Sequence, residues 1–179
     1  QNTWGLAYGY QLSKTLNAHA SYGTSFKAPR LDELYYPAWG GNPALKPEKG
    51  RNKEVGLTWD NGAHLVSATY YRNDVKDLIA WAWTGPMSWD GMNQNVAKAR
   101  LEGVTLAYAG RVGDYRFKAG YDWLNAKDRD TGNRLGRRAR NKATAEVSRV
   151  WGPLEAGIEW VGVGSRYNTN NETGEMGGY

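Results

Sequence analysis

Side-chain character alternates residue by residue along most of this chain, and a period of two confines it to extended strands with two unlike faces. Trp4, Leu6, Tyr8, Tyr10 and Leu12 fall on one face of the first segment, opposite Gly5, Ala7, Gly9 and Gln11. Leu16, Ala18, Ala20 and Tyr22 repeat the pattern against Asn17, His19, Ser21 and Gly23. Val55, Leu57 and Trp59 continue it, and a segment from about 63 to 75 carries Val66, Ala68 and Tyr70 on one face. Val104, Leu106 and Tyr108 follow, then Phe117, Ala119, Tyr121 and Trp123, then Ala143, Ala145 and Val147, then Leu154, Ala156, Ile158 and Trp160. About eight strands are expected, each near the roughly ten residues that a tilted membrane-crossing strand needs.

The connections separate a membrane barrel from a soluble sandwich, whose strands also alternate. Short turns are expected at Ser13-Lys14-Thr15, Asp60-Asn61-Gly62, Val112-Gly113-Asp114 and Gly152-Pro153. Asn-Gly is a strong hairpin signal, because the type I′ turn needs positive φ at both central residues. Between these turns lie long connections, at about 27–50, 83–95 and 128–141. A strict alternation of short and long links is the pattern of outer-membrane barrels, with tight periplasmic turns and long extracellular loops. Greek-key links of a sandwich mix lengths less regularly.

Composition agrees where it bears on the choice. The chain has 9 Trp and 12 Tyr but only 2 Phe, and rings with a polar handle suit a membrane–water interface. Trp59 and Trp151 beside short turns, with Trp81, Trp83 and Trp123 toward the long loops, are expected to form two aromatic girdles; ordinary core packing is the competing reading. No run of eighteen apolar residues exists, which excludes a transmembrane helix but not a barrel, whose strands are half apolar. The other face carries Gly, Ser, Thr, Asn, Glu, Lys and Asp, as a wet or plug-filled lumen requires. Without cysteine there is neither a disulfide framework nor a thiolate metal site. The net charge is +5, yet no basic stripe with interleaved aromatics points to nucleic acid. The densest basic run, from Arg134 through Arg137, Arg138 and Arg140 to Lys142, reads as a solvated loop base, with lipopolysaccharide phosphates as counter-charge if it faces outward.

One segment is more specific than any period. Tyr22-Gly23-Thr24-Ser25-Phe26-Lys27-Ala28-Pro29 leads into Asp32-Glu33-Leu34-Tyr35, then Gly41-Asn42-Pro43-Ala44-Leu45-Lys46-Pro47-Glu48, then Glu54-Val55-Gly56-Leu57. This resembles the hallmark extracellular connection in the C-terminal half of TonB-dependent receptor barrels. Two further matches follow in the family's order, at Tyr71-Arg72-Asn73-Asp74-Val75-Lys76-Asp77-Leu78-Ile79 and at Asn95-Val96-Ala97-Lys98-Ala99-Arg100-Leu101-Glu102-Gly103-Val104. Pro29, Pro43 and Pro47 cannot feed a ladder and stiffen the crossing, while Gly40 and Gly41 permit a tight reversal. The motif reads as loop scaffold and carries no chemistry of its own.

The resemblance implies an all-β antiparallel transmembrane barrel in which residues 1–179 form about eight of about 22 strands, roughly the twelfth to nineteenth. It implies a bacterial outer-membrane location, a plug and remaining barrel wall from the same protein, TonB as energy source, and contact with outer-membrane lipids and lipopolysaccharide. Cobalamin is the favoured cargo, with a ferric siderophore, haem or another metal chelate next. Similarity to the cobalamin-receptor branch rests on Tyr22-Gly23-Thr24-Ser25, Tyr71-Arg72-Asn73-Asp74-Val75 and Arg137-Arg138-Ala139. The first arginine of that last motif faces substrate in the branch, which carries over to Arg137; a lumenal charge touching plug or loops is the other reading. Asn168, Thr169, Asn170 and Asn171 stand where the branch supplies an aromatic contact. Tyr35, Tyr36, Trp39, Trp81, Trp83 and Trp89 make aromatic-rich loops that either grip a large planar ligand or pack the loops together.

No catalytic, cofactor or metal site is expected. The run Asp128-Arg129-Asp130-Thr131-Gly132-Asn133 faintly resembles a calcium loop, but Ala139 stands where the bidentate Glu belongs. His19 and His64 lack ligand-spaced partners, and His19 beside Ser21 lacks a third orienting residue. The start at Gln1-Asn2-Thr3-Trp4 shows no signal peptide, and Gly174-Glu175-Met176-Gly177-Gly178-Tyr179 is no closing strand. The expectation is a piece cut from a longer barrel; a self-contained eight-strand barrel (adhesin, structural protein or enzyme) and a soluble sandwich are the alternatives.

Overall fold

The computed structural model describes residues 2–36, 40–84, 91–168 and 172–179; the side chains of Trp83, Val96 and Ala97 lie outside that description. Eight strands form one antiparallel sheet in strict sequence order: β1 (Gly5–Gln11), β2 (Leu16–Lys27), β3 (Glu48–Asp60), β4 (His64–Trp83), β5 (Gly91–Val112), β6 (Tyr115–Asp128), β7 (Asn141–Trp151) and β8 (Leu154–Val163). Two short strands, β9 (Arg166–Tyr167) and β10 (Glu175–Met176), pair with each other. One five-residue helix, α1 (Leu31–Tyr35), sits between β2 and β3.

All four short turns are where the pattern places them. Asn61 Oδ1 accepts hydrogen bonds from the amides of Ala63 and His64, at 3.0 and 2.8 Å. Gly62, Gly113 and Gly152 take positive φ at the tips (88°, 58° and 57°), a conformation that glycine adopts without the Cβ clash. The prolines also act as expected: β2 stops at Lys27 and β3 starts at Glu48, so Pro29, Pro43 and Pro47 all fall between them.

Register joins the apolar positions into continuous rungs. Ala18, Leu57, Ala68, Leu106, Tyr121, Ala143 and Gly162 lie side by side across seven strands. The next rung runs through Leu16, Trp59, Val66, Tyr108, Ala119, Ala145 and Trp160. Among the described residues no second layer covers this face: Leu6 is 71% exposed, Ile158 75% and Trp160 58%. So broad an apolar surface needs an apolar surrounding, and it rules out the sandwich, whose strands pack face to face. The small closed barrel is not formed either, because β1 and β8 stand at opposite edges of the sheet.

The opposite face is polar. His19 Nε2 lies 3.3 Å from Glu54, Lys118 Nζ 3.1 Å from Glu146, and Arg116 Nη1 2.8 Å from Glu155. Half-exposed pairs of this kind add little stability, but they show that this face is built for water or polar neighbours. His19 lies over Gly56, where a Cβ would collide with its ring. On the apolar face, beside a short turn, His64 Nδ1 meets the Tyr108 hydroxyl at 2.9 Å.

Two expectations need correction. The link expected at 83–95 is shorter, because β4 and β5 stay paired out to Trp83 and Gly91. The alternation misleads there because Asp77 takes φ of 58° inside β4. After that turn of phase Leu78 joins Val75 in the buried cluster. Trp81 and Trp83 therefore stand on a projecting hairpin, well past the last apolar rung. On the long-loop side the rim aromatics of the apolar face are Trp4, Tyr22, Tyr70 and Trp123, with Trp4 and Tyr22 rings 5.3 Å apart. Trp59 and Trp151 do face outward beside the short turns.

Candidate functional site at the loop end of the sheet

The three long connections all leave the same end of the sheet, and they are tied to one another. In the first, Glu33 of α1 is buried and accepts the Arg30 amide at 2.8 Å, closing the helix start. Lys27 Nζ bridges Glu33 (3.4 Å) and Glu48 (3.1 Å), drawing the two ends of the loop together. Asn42 donates from Nδ2 to the Asn93 carbonyl at 2.8 Å, and the Asn93 amide donates to the Gly40 carbonyl at 2.8 Å. Gly40 has φ of 67°, and a side chain there would run into the Gly91 and Met92 backbone. The Gly-Asn-Pro element of the motif is thus the clasp between this loop and the projecting hairpin.

Asn95 makes the second clasp. Its Oδ1 accepts the Lys46 amide at 2.9 Å, while Nδ2 donates to the carbonyls of Lys46 (2.9 Å) and Asp77 (2.7 Å). Removing a side chain that satisfies several backbone groups costs on the order of 1–3 kcal/mol. Asn95→Ala is expected to loosen residues 40–48 without melting the sheet. Limited proteolysis of the full-length protein should show faster cutting within 40–48 at unchanged midpoint of unfolding.

The third connection folds across the polar face. Leu135 is 2% exposed and packs with Val75, Leu78, Ala99 and Ala126, flanked by Leu101 and Leu124. Its amide donates to the Ala126 carbonyl at 2.9 Å. Asp128 organises the loop base: its Oδ1 accepts the amides of Asp130 (2.8 Å) and Thr131 (3.3 Å). The carboxylate that a calcium loop would offer to metal is thereby engaged with backbone, and no cluster of three potential metal ligands occurs among the described residues.

Arg137 is exposed and takes φ of 59°. Its amide donates to the Tyr167 carbonyl at 2.6 Å and its Nε to Asn168 Oδ1 at 3.3 Å. Arg134 stacks over the Tyr167 ring at 5.2 Å, and its amide reaches Glu172 at 2.9 Å. Arg138 lies deeper; burial lowers its pKa, opposed by the charge of Glu48. Within the dense basic run, Arg134 and Arg138 are drawn into loop contacts over the polar face, while Arg137, Arg140 and Lys142 stay exposed, as a solvated loop base requires.

Of the residues expected to face a ligand, Arg137 sits on the third loop, while Tyr35 and Tyr36 are exposed at the end of α1 on the first. The structure brings these to the same end of the sheet. Trp39 and Trp89 lie outside the described residues, as do Thr169, Asn170 and Asn171 and the side chain of Trp83. Sequence reading missed Leu135 as the anchor and Asn95 as the clasp. Leu135 had a visible signal, a lone leucine inside a run of arginines, whereas Asn95 stood only as the first residue of a motif match.

A family model described as "TonB dependent receptor-like, beta-barrel" matches residues 1–179. The chain is 34% identical to the vitamin B12 transporter BtuB of Photobacterium profundum over 184 residues, covering 99% of this chain and 30% of that protein. It is 36% identical to BtuB of Vibrio vulnificus over 140 residues, covering 78% and 22%. Among solved structures, the copper transporter OprC superposes with a TM-score of 0.82 at 21% identity, over 99% of this chain and 29% of that one. The siderophore receptor PirA from Acinetobacter baumannii gives 0.76 at 18%, over 99% and 33%. The chain spans less than a third of the length of these curated relatives.

Proposed function

Because the chain belongs to the TonB-dependent receptor β-barrel family, we propose that the protein containing it takes up a large, scarce nutrient through the bacterial outer membrane, using energy supplied by TonB. Membership makes this a transport protein of the outer membrane and not an enzyme. In this reading the eight-strand sheet is one stretch of a plugged barrel of about 22 strands. The apolar face meets lipid, the polar face meets the plug and the aqueous lumen, and the clasped loops form part of the extracellular mouth.

The observation that carries the reading is the division of one uninterrupted sheet into an uncovered apolar face and a polar face crossed by a loop. Cobalamin is the cargo we put first, supported by the likeness to B12 transporters over 99% of the chain. Ferric siderophores, haem and other metal chelates follow. Arg137 is the residue assigned to ligand: its guanidinium suits the amide and phosphate oxygens of a corrinoid. Tyr35 and Tyr36, with Trp39, Trp83 and Trp89, are the aromatic surfaces proposed for the mouth.

Titration of the full-length receptor with cobalamin and with ferric siderophores tests the cargo, and absence of cobalamin binding would retire it. Arg137→Asn is the sharper variant, since Asn tolerates positive φ and keeps the backbone bond to Tyr167. Loss of a hydrogen bond from a charged group is worth about 1.5–3 kcal/mol. Arg137→Asn should therefore weaken cobalamin binding by about tenfold or more, with no change in the unfolding midpoint.

A further inference from the structure

The basic residues of β3, β4 and β5 look scattered in sequence, but register collects them. Where the apolar face ends at the loop side, the next rung is Tyr22, Lys53, Arg72, Glu102 and Asn125. Beyond it come Thr24, Arg51, Asp74, Arg100 and Lys127, and then Phe26, Lys49, Lys76 and Lys98. These three rungs hold eight bases against two carboxylates, on the same face as the lipid-facing belt. Six of the bases are exposed.

This cluster is organised. Asp74 takes Arg72 Nε at 2.9 Å and Arg100 Nε at 2.8 Å, holding two guanidiniums side by side despite their repulsion. Lys53 Nζ stands 5.8 Å over the Tyr22 ring. A groove opens among Tyr22, Phe26, Lys49, Arg51, Lys76 and Lys98. One rung inward the surface turns apolar through Ala20, Val55, Tyr70, Val104 and Trp123. An occupant must satisfy cations above and hydrocarbon directly below, in one molecule.

We propose that this rim docks the phosphate-bearing headgroup of an outer-leaflet lipid, with its acyl chains lying on the apolar rungs beneath. The proposal rests on the reading that the long loops are extracellular. Charge complementarity selects the headgroup, because Arg and Lys near a membrane surface draw anionic lipid and Arg pairs with phosphate through parallel donors. Continuity with the belt selects a lipid over a soluble anion. The rim would take the place of the divalent cations that otherwise bridge neighbouring lipid phosphates.

The test uses full-length receptor in detergent with bisphosphorylated lipid A as probe. The variant combines Arg51→Gln, Lys53→Gln, Lys76→Gln and Lys98→Gln, which spares the Asp74 bridge. A control of equal charge change on the polar face combines Arg111→Gln, Arg116→Gln, Lys118→Gln and Lys142→Gln. Heat-modified gel mobility confirms that each barrel is folded. The expected result is lipid A binding weakened at least tenfold in the rim variant and unchanged in the control, with inorganic phosphate at millimolar concentration unable to compete. Equal binding by rim variant and parent would overturn the proposal, as would full competition by inorganic phosphate, which would make it a free-anion site. Nutrient titration of the same variant separates the two readings. Intact cobalamin binding with unaffected lipid binding defeats only the rim; lost lipid binding with no cobalamin binding in the parent defeats only the cargo.

Discussion

Leu106→Arg should destabilise the folded full-length barrel by about 2–4 kcal/mol, the range for a cation on the lipid face near the bilayer middle. Leu106 lies between Val104 and Tyr108 on the apolar face, with Ala68 and Tyr121 as its cross-strand neighbours. In bulk lipid the guanidinium has no counter-charge in reach and must snorkel or drag water with it. Ala107→Arg, one residue along, points to the polar face beside Ser67 and Gly120. There a guanidinium has polar neighbours and lumenal water, and the change should stay within the roughly ±0.5 kcal/mol of ordinary surface substitutions. Urea unfolding in lipid vesicles measures both. Equal penalties at 106 and 107 would mean that the two faces do not see different solvents.

Leu135→Ala is the second large effect, and its character differs. Leu135 is the most buried side chain that the third loop contributes, and it fills a small cluster of Val75, Leu78, Ala99 and Ala126. Truncating a buried leucine costs about 2–5 kcal/mol through lost transfer energy and an unfilled cavity. The ladder between β6 and β7 does not depend on that cluster, so the loss should appear as local opening of the loop. Hydrogen exchange of full-length receptor should show faster exchange across 129–140, including the Arg137 amide that donates to Tyr167. The global unfolding midpoint should move little. If exchange in that loop were unchanged, Leu135 would not be its anchor. With the ligand role proposed for Arg137, a freed loop no longer presents it, and nutrient affinity should fall in parallel.

The strands, their order and the short turns were legible because period, turn residues and burial all report the same thing at Leu57, Leu106 or Gly62. Legibility failed where a residue acts through a distant partner. Asp77 reverses the phase of β4 by a positive φ that its identity does not demand, so the hairpin looked like an irregular loop. The arginine run gave no sign of its loop contacts, because sequence cannot show that Leu135 draws the loop over the sheet. The cations of the rim had a local signal in the alternation Lys49, Arg51, Lys53. Only register adds Arg72, Lys76, Lys98 and Arg100 beside them. The loop motif was read as scaffold, and the bonds of Glu33, Asn42 and Glu48 account for that role in atoms.

The central claim is that one face of this sheet meets lipid and the other meets water or protein. The 179 residues contain no cysteine; with any cysteine elsewhere in the full-length receptor replaced, single cysteines at 104 through 109 in β5 can each carry a spin label in lipid vesicles. Collision rates with oxygen, which concentrates in lipid, and with a water-soluble nickel chelate then report the surroundings of each position. The account predicts oxygen maxima at 104, 106 and 108 with minima at 105, 107 and 109, and the nickel pattern reversed or flat. An absent two-residue period, or one of opposite phase, would contradict it.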